Sequence, residues 1–213
     1  MINIKNIDVT CISQHARILW DESTKEAVIV DPGGSDNRVI SFLKENGLKL
    51  KSIVLTHSHF DHCGGVCFLK EHFKSVPLYG HKLEKKLREN VQEMMKAVGV
   101  LDETCKNAPE PDIYFEDNQE IYLGEEKFIV LFTPGHSPGS VSLYNKNNKI
   151  LLSGDTLFAG SIGRTDFIGG DFKTIIKSIK ERLFTLPEDT VVYPGHGENT
   201  TIGYEKKFNS FFN

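Results

Sequence analysis

The sequence has little cysteine, no surplus of positive charge and no long apolar run. Its 213 residues include four cysteines, and none of them forms a Cys-x-x-Cys pair, which excludes a disulfide scaffold. Lysine and arginine number 25 against 29 acidic residues, so a surface that follows nucleic-acid phosphates is not expected. No run approaches the roughly 18 apolar residues of a membrane span. We therefore expect neither nucleic-acid nor membrane partners.

The sequence also lacks features that would divide the chain or export it. It contains no internal repeat, no low-complexity tract and no linker rich in proline, glycine or serine, so residues 1–213 are predicted to form a single domain. Residues 1–8 alternate apolar and polar side chains, unlike the basic start and apolar core of a signal peptide. The protein is therefore predicted to be cytoplasmic, with reduced cysteines.

Short apolar segments between turn residues are typical of strands interspersed with a few helices. Helical spacing of apolar residues predicts helices over 36–46, 62–73, 82–98, 172–183 and 201–208, the fourth with Asp171 as its N-cap. Strands are predicted at 2–10, 17–20, 27–30, 53–55, 78–79, 121–123, 128–132, 141–144, 150–152 and 191–193. Strands followed by helices, twice over, predict an α/β fold with two sheets packed face to face and helices outside.

The segment from His57 to His62 is the strongest chemical signal, because it places four potential metal ligands within six residues directly after an apolar strand. Side chains two residues apart in an extended segment project to the same side, so His57 and His59 can reach one ion. Asp61 and His62, where a helix begins, can address a second ion. Imidazole and carboxylate ligands without thiolate suit zinc, iron or manganese.

Three further ligand candidates follow apolar strands in the second half of the chain. They are His136, Asp155 and His196, and each is preceded by a glycine. Glycine lets the backbone turn sharply or approach another segment closely where a strand ends. The recurrence of an apolar run, a glycine and a ligand predicts that all seven side chains converge on one pair of metal ions.

The sequence resembles the metallo-β-lactamase superfamily, and within it the short glyoxalase II-like hydrolases. The resemblance is carried by residues 57–62, 133–140 (TPGHSPGS), 153–158 (SGDTLF), 163–167 (GRTDF) and 194–197 (PGHG). It implies an αββα sandwich in which His57, His59 and His136 hold one ion and Asp61, His62 and His196 hold the other. Asp155 would bridge the two ions.

The resemblance implies a hydrolase whose nucleophile is a hydroxide that bridges two divalent ions, zinc first, with iron or manganese as alternatives. The positive charge of two divalent ions exceeds the combined negative charge of Asp61, Asp155 and one hydroxide. The site would therefore favour an anionic substrate. Our hypothesis is attack on the carbonyl of a small anionic thioester of the hydroxyacyl-glutathione type. Asp61 and Asp155 are the candidate catalytic carboxylates.

Three residues between Asp155 and the next helix are candidates for substrate contacts. Arg164 lies in a glycine-rich loop and either faces the substrate or braces Asp166. Phe158 and Ile162 either line a substrate wall or pack in the core.

Other functions fit the same motifs. A persulfide dioxygenase would need one iron, held by His57, His136 and Asp155, and would consume oxygen. A lactonase would attack an equivalent carbonyl. A binding protein that has kept the fold is disfavoured, because it would have no use for a complete ligand set. Metal content together with a substrate panel separates these alternatives.

Overall fold

Two six-stranded sheets contain most of the strands in the computed structural model of the protein, which describes residues 2–213. The chain divides into two compact units. The first comprises the described residues up to Phe115 together with Leu123–Glu126, and the second comprises Glu116–Tyr122 and Lys127–Asn213. The single domain over residues 1–213 stays a prediction. Within residues 2–213, none of the helices combines the length and apolar character that crossing a membrane requires.

The sheet of the first unit follows the order of the chain. Its strands are β1 (Ile2–Val9), β2 (Gln14–Asp21), β3 (Glu26–Val30), β4 (Lys49–Val54), β5 (Leu78–Gly80) and β6 (Ile113–Tyr114). The first three strands pair antiparallel, and β3 to β6 pair parallel. Parallel strands end at the same edge, so residues that follow β3 and β4 lie near one another.

Helices connect the parallel strands of this unit. They are α1 (Asn37–Glu45), α2 (Phe60–Cys63), α3 (Val66–His72), a 3-10 turn (Lys82–Glu84), α4 (Lys85–Arg88) and α5 (Val91–Ala97). Helix α1 is capped by Asp36, whose side chain accepts a hydrogen bond from the backbone N–H of Arg38. Its buried residues, Val39, Ile40 and Leu43, contribute to the core of this unit.

Two predicted helices are wrong as continuous elements. The helix expected over 82–98 is broken at Asn90, whose backbone angles (φ −127°, ψ 36°) are not helical, and the N–H of Val91 is bonded to the Asn107 side chain instead. The helix expected over 62–73 is divided by Gly64 and Gly65, which have low helix propensity. A Cβ atom at either glycine would lie within 3.0 Å of another backbone or side chain, so close packing selects glycine there.

The second sheet lies mostly in the second unit. Its strands are β7 (Glu120–Leu123), β8 (Glu126–Phe132), β9 (Val141–Asn145), β10 (Ile150–Gly154), β13 (Val191–Pro194) and β14 (Thr200–Thr201), in the order β14-β13-β10-β9-β8-β7. The strands β11 (Leu157–Phe158) and β12 (Ser161–Ile162) form a separate hairpin. The predicted strands are confirmed to within a few residues, whereas β6, the short hairpin and β14 were not predicted.

The helices of the second unit are α6 (Phe172–Ser178), continued by a π-helical turn (Ile179–Leu183), and α7 (Ile202–Phe208). The predicted N-cap is confirmed, since the Asp171 side chain accepts a hydrogen bond from the N–H of Thr174. Helices α6 and α7 contribute Ile175 and Ile202 to the buried core of this unit. Two sheets with helices confirm the mixed α/β class.

Candidate metal centre

The first group of predicted ligands lies between the end of β4 and helix α2. His57, His59, Asp61 and His62 are all buried, with exposed fractions from 0% to 7%. Helix α2 begins at Phe60, so Asp61 and His62 lie in its single turn while His57 and His59 precede it. Buried polar side chains need compensating partners, so the contacts of this group indicate what it is built to do.

The ring nitrogens of His57 and His59 face each other, with 3.1 Å between His57 Nε2 and His59 Nδ1. Thr56 Oγ1 lies 2.6 Å from Asp31 Oδ2, to which its hydroxyl donates, and 3.2 Å from His57 Nδ1. Because the Thr56 proton is used on Asp31, His57 Nδ1 donates to Thr56 Oγ1, and Nε2 is the nitrogen of His57 that can coordinate a metal.

Asp31, directly after β3, supports this group and was missed by the sequence analysis. Its carboxylate accepts hydrogen bonds from the Thr56 N–H (2.7 Å) and from His62 Nδ1 (2.9 Å), in addition to the Thr56 hydroxyl. Asp31, His57 and His62 each place a ligand atom within 4.8 Å of the others. The sequence did carry a signal, because Asp31 ends a buried strand as the predicted ligands do, but the Asp-Pro-Gly-Gly run indicated only a turn.

Glu84 supports the same segment from the 3-10 turn. Its carboxylate is buried, 1% exposed, and accepts a hydrogen bond from the N–H of Ser58 at 2.7 Å. Asp31 and Glu84 therefore hold the backbone on either side of His57. Nothing in the local sequence marks Glu84, because it lies in a stretch that is rich in charge and was predicted to be one helix.

The second group of predicted ligands lies in the second unit, at the ends of strands β8, β10 and β13. Asp155 Oδ2 is 3.7 Å from His136 Nε2 and 3.7 Å from His196 Nε2. A carboxylate oxygen that lies near two imidazole nitrogens can share a metal ion with either of them. His136 is buried at 3% exposure, whereas Asp155 and His196 are partly exposed.

A backbone carbonyl sets the orientation of His136. Its Nδ1 lies 2.8 Å from the carbonyl oxygen of Arg164, so Nδ1 is the protonated nitrogen and Nε2 is directed towards Asp155. Gly163, the preceding residue, packs so closely that a Cβ atom there would lie 1.8 Å from the Asp155 carbonyl oxygen and 3.0 Å from His136 Nδ1. Gly163 therefore lets this segment reach both ligands.

We expect Gly163→Ala to displace Asp155 and His136, because the added methyl group has no space beside the Asp155 carbonyl. The variant should lose about 1–3 kcal/mol of unfolding free energy through overpacking and should bind metal more weakly. Thermal unfolding and metal analysis of the purified protein measure both effects. Gly99→Ala is the control for metal binding: its φ of +71° strains an alanine, but its Cβ would meet nothing within 4 Å. Equal metal loss in the two variants would contradict the steric explanation.

The three candidate substrate contacts have different settings. The Arg164 guanidinium binds Asp166 through two hydrogen bonds of 2.7 Å and lies 3.9 Å above the Phe167 ring. This pairing lowers the pKa of Asp166 to about 2. Ile162 is buried in the core, while Phe158 is partly exposed with its ring 6.5 Å from that of His196.

The cysteines of the first unit have structural contacts. Cys63 is buried and its thiol donates to the Ser58 carbonyl at 3.5 Å, while burial raises the pKa of this thiol well above its ordinary value. The partly buried Cys67 contacts the Asn107 carbonyl at 3.1 Å. Both thiols are engaged by backbone carbonyls, in agreement with a site of imidazoles and carboxylates.

The residues of both groups fit metal ions. Two imidazole nitrogens bound to one tetrahedral zinc lie about 3.3 Å apart, close to the 3.1 Å between His57 and His59. His62 and His136 each direct Nδ1 to a protein oxygen, the outer contact that orients metal-binding histidines. Nitrogen and oxygen donors together suit zinc, iron or manganese.

Comparisons with known proteins agree with this chemistry. Residues 15–196 match the family model described as Metallo-beta-lactamase superfamily. Hydroxyacylglutathione hydrolase GloC of Haemophilus influenzae is 40% identical over 100% of this chain and 99% of its own length. The crystal structure of BLEG-1 B3 metallo-beta-lactamase is 40% identical, with a TM-score of 0.89 over 100% of this chain and 99% of that one. The structure of TTHA1623 in a di-iron-bound form is 35% identical, with a TM-score of 0.87 over 97% of this chain and 99% of that one.

Proposed function

The chain belongs to the metallo-β-lactamase superfamily and is a metallo-hydrolase, and from this we propose that it cleaves small anionic thioesters with two bound metal ions. The observation that carries the proposal is the position of Asp155 Oδ2, 3.7 Å from each of two histidine nitrogens. A mononuclear site would need Asp155 beside His136 alone, whereas a carboxylate oxygen that also lies near His196 is suited to serve a second ion.

We propose that the two groups of ligands act on a common pair of ions. His57, His59 and His136 would hold one ion, Asp61, His62 and His196 the other, and Asp155 both. In the first unit, Asp61 Oδ2 lies 3.4 Å from His62 Nε2, so these two side chains can bind the same ion. The di-iron form of the similar TTHA1623 structure supports a pair of ions. Zinc is the first choice for this chain, with iron or manganese as alternatives.

The metal ions, when bound, would supply Lewis acidity and a water ionised near neutral pH. The protein's own contribution is orientation and charge. The carboxylates of Asp61 and Asp155 offset part of the positive charge, and the hydrogen bonds of His62 and His136 prevent their rings from turning. Burial of His57, His59 and His62 keeps bulk water away from these rings, which strengthens the electrostatic interactions of the site.

The thioester class rests on the relative named hydroxyacylglutathione hydrolase, which aligns with the whole of this chain. Phe158 would contact the apolar part of the substrate and Arg164 would attract its anionic part, whereas Ile162 belongs to the buried core. The Arg164 side chain is 56% exposed and can approach a solute even while it is paired with Asp166.

Metal analysis followed by a substrate panel tests the proposal. The panel contains S-D-lactoylglutathione, a simple thioester, a lactone, a β-lactam and glutathione persulfide, with oxygen uptake recorded. Two metal ions per chain and preferential thioester turnover are expected. One iron per chain with oxygen uptake on the persulfide would identify a dioxygenase instead. Preferential turnover of the lactone or β-lactam would replace the thioester class while keeping the dinuclear site.

We expect Arg164→Ala to raise KM for an anionic thioester by about tenfold, with kcat nearly unchanged, because one charge-assisted contact is worth about 1.5 kcal/mol. Steady-state kinetics with charged and uncharged thioesters measure the effect. The uncharged thioester is the internal control. An equal rise in KM for both substrates would show that Arg164 acts by bracing Asp166 and the loop.

A further inference from the structure

Helix α7 carries a buried acidic side chain that the proposed reaction does not use. Glu205 is 0% exposed and its carboxylate accepts three hydrogen bonds. Its donors are the N–H of Gly160 at 3.0 Å, the Thr200 hydroxyl at 2.6 Å and the Asn209 side-chain amide at 2.7 Å. A buried carboxylate is costly unless hydrogen bonds compensate it, and bonds of this kind also restrain the segments that supply the donors.

Two of the three donors belong to segments that adjoin metal ligands. Gly160 forms the turn of the β11–β12 hairpin, which starts two residues after Asp155. Thr200 begins β14, four residues after His196. Asn209 follows helix α7, and its amide also donates to the Ser161 carbonyl at 3.0 Å. Glu205 therefore ties the segment after Asp155 to the segment after His196.

The hairpin transmits this constraint to two ligands. It leads directly into Gly163, whose N–H donates to the Thr156 carbonyl at 3.3 Å. Gly163 packs against the Asp155 carbonyl, and the Arg164 carbonyl accepts the Nδ1 proton of His136. A shift of the hairpin would therefore move both the backbone that supports Asp155 and the acceptor that orients His136.

We propose that Glu205 is a positioning residue for the three metal ligands of the second unit, His136, Asp155 and His196. The proposal rests on the proposed metal-binding function and adds to it a residue from the C-terminal helix. Glu205 acts through the backbone of residues 160–164 and 200–201 and does not itself contact the metal ions.

Glu205→Gln is the sharpest test, because it keeps the size of the side chain and replaces one acceptor oxygen with an NH₂ group. Each carboxylate oxygen of Glu205 accepts from a donor, so the new NH₂ either opposes the Gly160 and Asn209 groups or forces the Thr200 hydroxyl to change from donor to acceptor. Glu181→Gln is the matched control, since Glu181 is an exposed residue of the same unit, at 62%.

The experiment compares zinc affinity, measured by competition with a chromophoric chelator, and the visible spectrum of the cobalt-substituted protein. We expect Glu205→Gln to bind zinc about tenfold more weakly and to change the cobalt bands, as loss of outer support does at metal sites. Glu181→Gln should match the wild type in both. Wild-type affinity and spectrum in Glu205→Gln, with only its Tm lowered, would show a purely structural role and overturn the proposal.

If Glu205→Gln does not fold, Thr200→Val decides, because it removes one donor and leaves the other two contacts in place. A loss of zinc affinity of about threefold is then expected, and an unchanged affinity would overturn the proposal. These measurements need no substrate, so failure of thioester hydrolysis would refute the substrate class alone. A wild-type chain that bound no zinc, iron or manganese would instead refute the proposed function.

Discussion

Asp155→Ala is expected to remove bound metal and hydrolytic activity together. Asp155 Oδ2 lies between His136 and His196, so alanine removes the one ligand proposed to contact both ions. Loss of several kcal/mol of transition-state stabilisation lowers kcat/KM by about three powers of ten or more. Metal content of the purified variant and its rate with a thioester, with and without added zinc, measure the two losses.

Asp189→Ala provides the comparison for this variant. Asp189 is an exposed residue of the same unit, at 61%, and forms a surface ion pair with Lys149. Its removal should leave metal content and activity unchanged, since surface ion pairs contribute little. An Asp155→Ala protein that kept both metal ions and full activity would refute the bridging role.

Asp31→Ala should have the second largest effect, on stability as well as on metal binding. The substitution leaves two buried donors of Thr56 and the Nδ1 proton of His62 without their acceptor. Unsatisfied buried donors cost about 1–3 kcal/mol each, so we expect unfolding free energy to fall by about 3 kcal/mol and zinc affinity by about 10–100-fold. Denaturant unfolding of the metal-free protein and zinc competition measure these separately.

Asp8→Ala is the matched control for Asp31→Ala, because each residue pairs with a histidine. Asp8 contacts His15 Nδ1 at 2.6 Å, but it is 62% exposed. Water replaces such an exposed contact, so the unfolding free energy of Asp8→Ala should fall by less than about 1 kcal/mol. Its zinc affinity should equal that of the wild type. Equal losses in the two variants would show that burial of the Asp31 network has no special role.

The sequence could predict those features that are local. The ligand run 57–62 and the residues 136, 155 and 196 follow apolar strands, and the structure places each at the end of a strand. The Asp171 cap and the closing helix were predictable for the same reason, since a cap and an amphipathic stretch are defined within a few residues.

The supporting residues could not be predicted, because their roles depend on contacts far along the chain. Each forms a hydrogen bond with a residue that is distant in sequence. The separations are 25 residues for Asp31 and Thr56, 26 for Glu84 and Ser58, and 45 for Glu205 and Gly160. The broken helix over 82–98 has a similar cause: its polar and apolar pattern suits one helix, but Asn107 bonds to the N–H of Val91 at the interruption. Local pattern does not encode such tertiary competition.

The backbone clamp on the histidine segment, in which Asp31 holds the N–H of Thr56 and Glu84 holds that of Ser58, is made entirely of protein groups. Part of the entropy cost of ordering this segment therefore belongs to folding, which leaves a smaller cost to metal binding. A set of ligands that the protein holds in place discriminates among metal ions by the bond lengths and angles that it imposes.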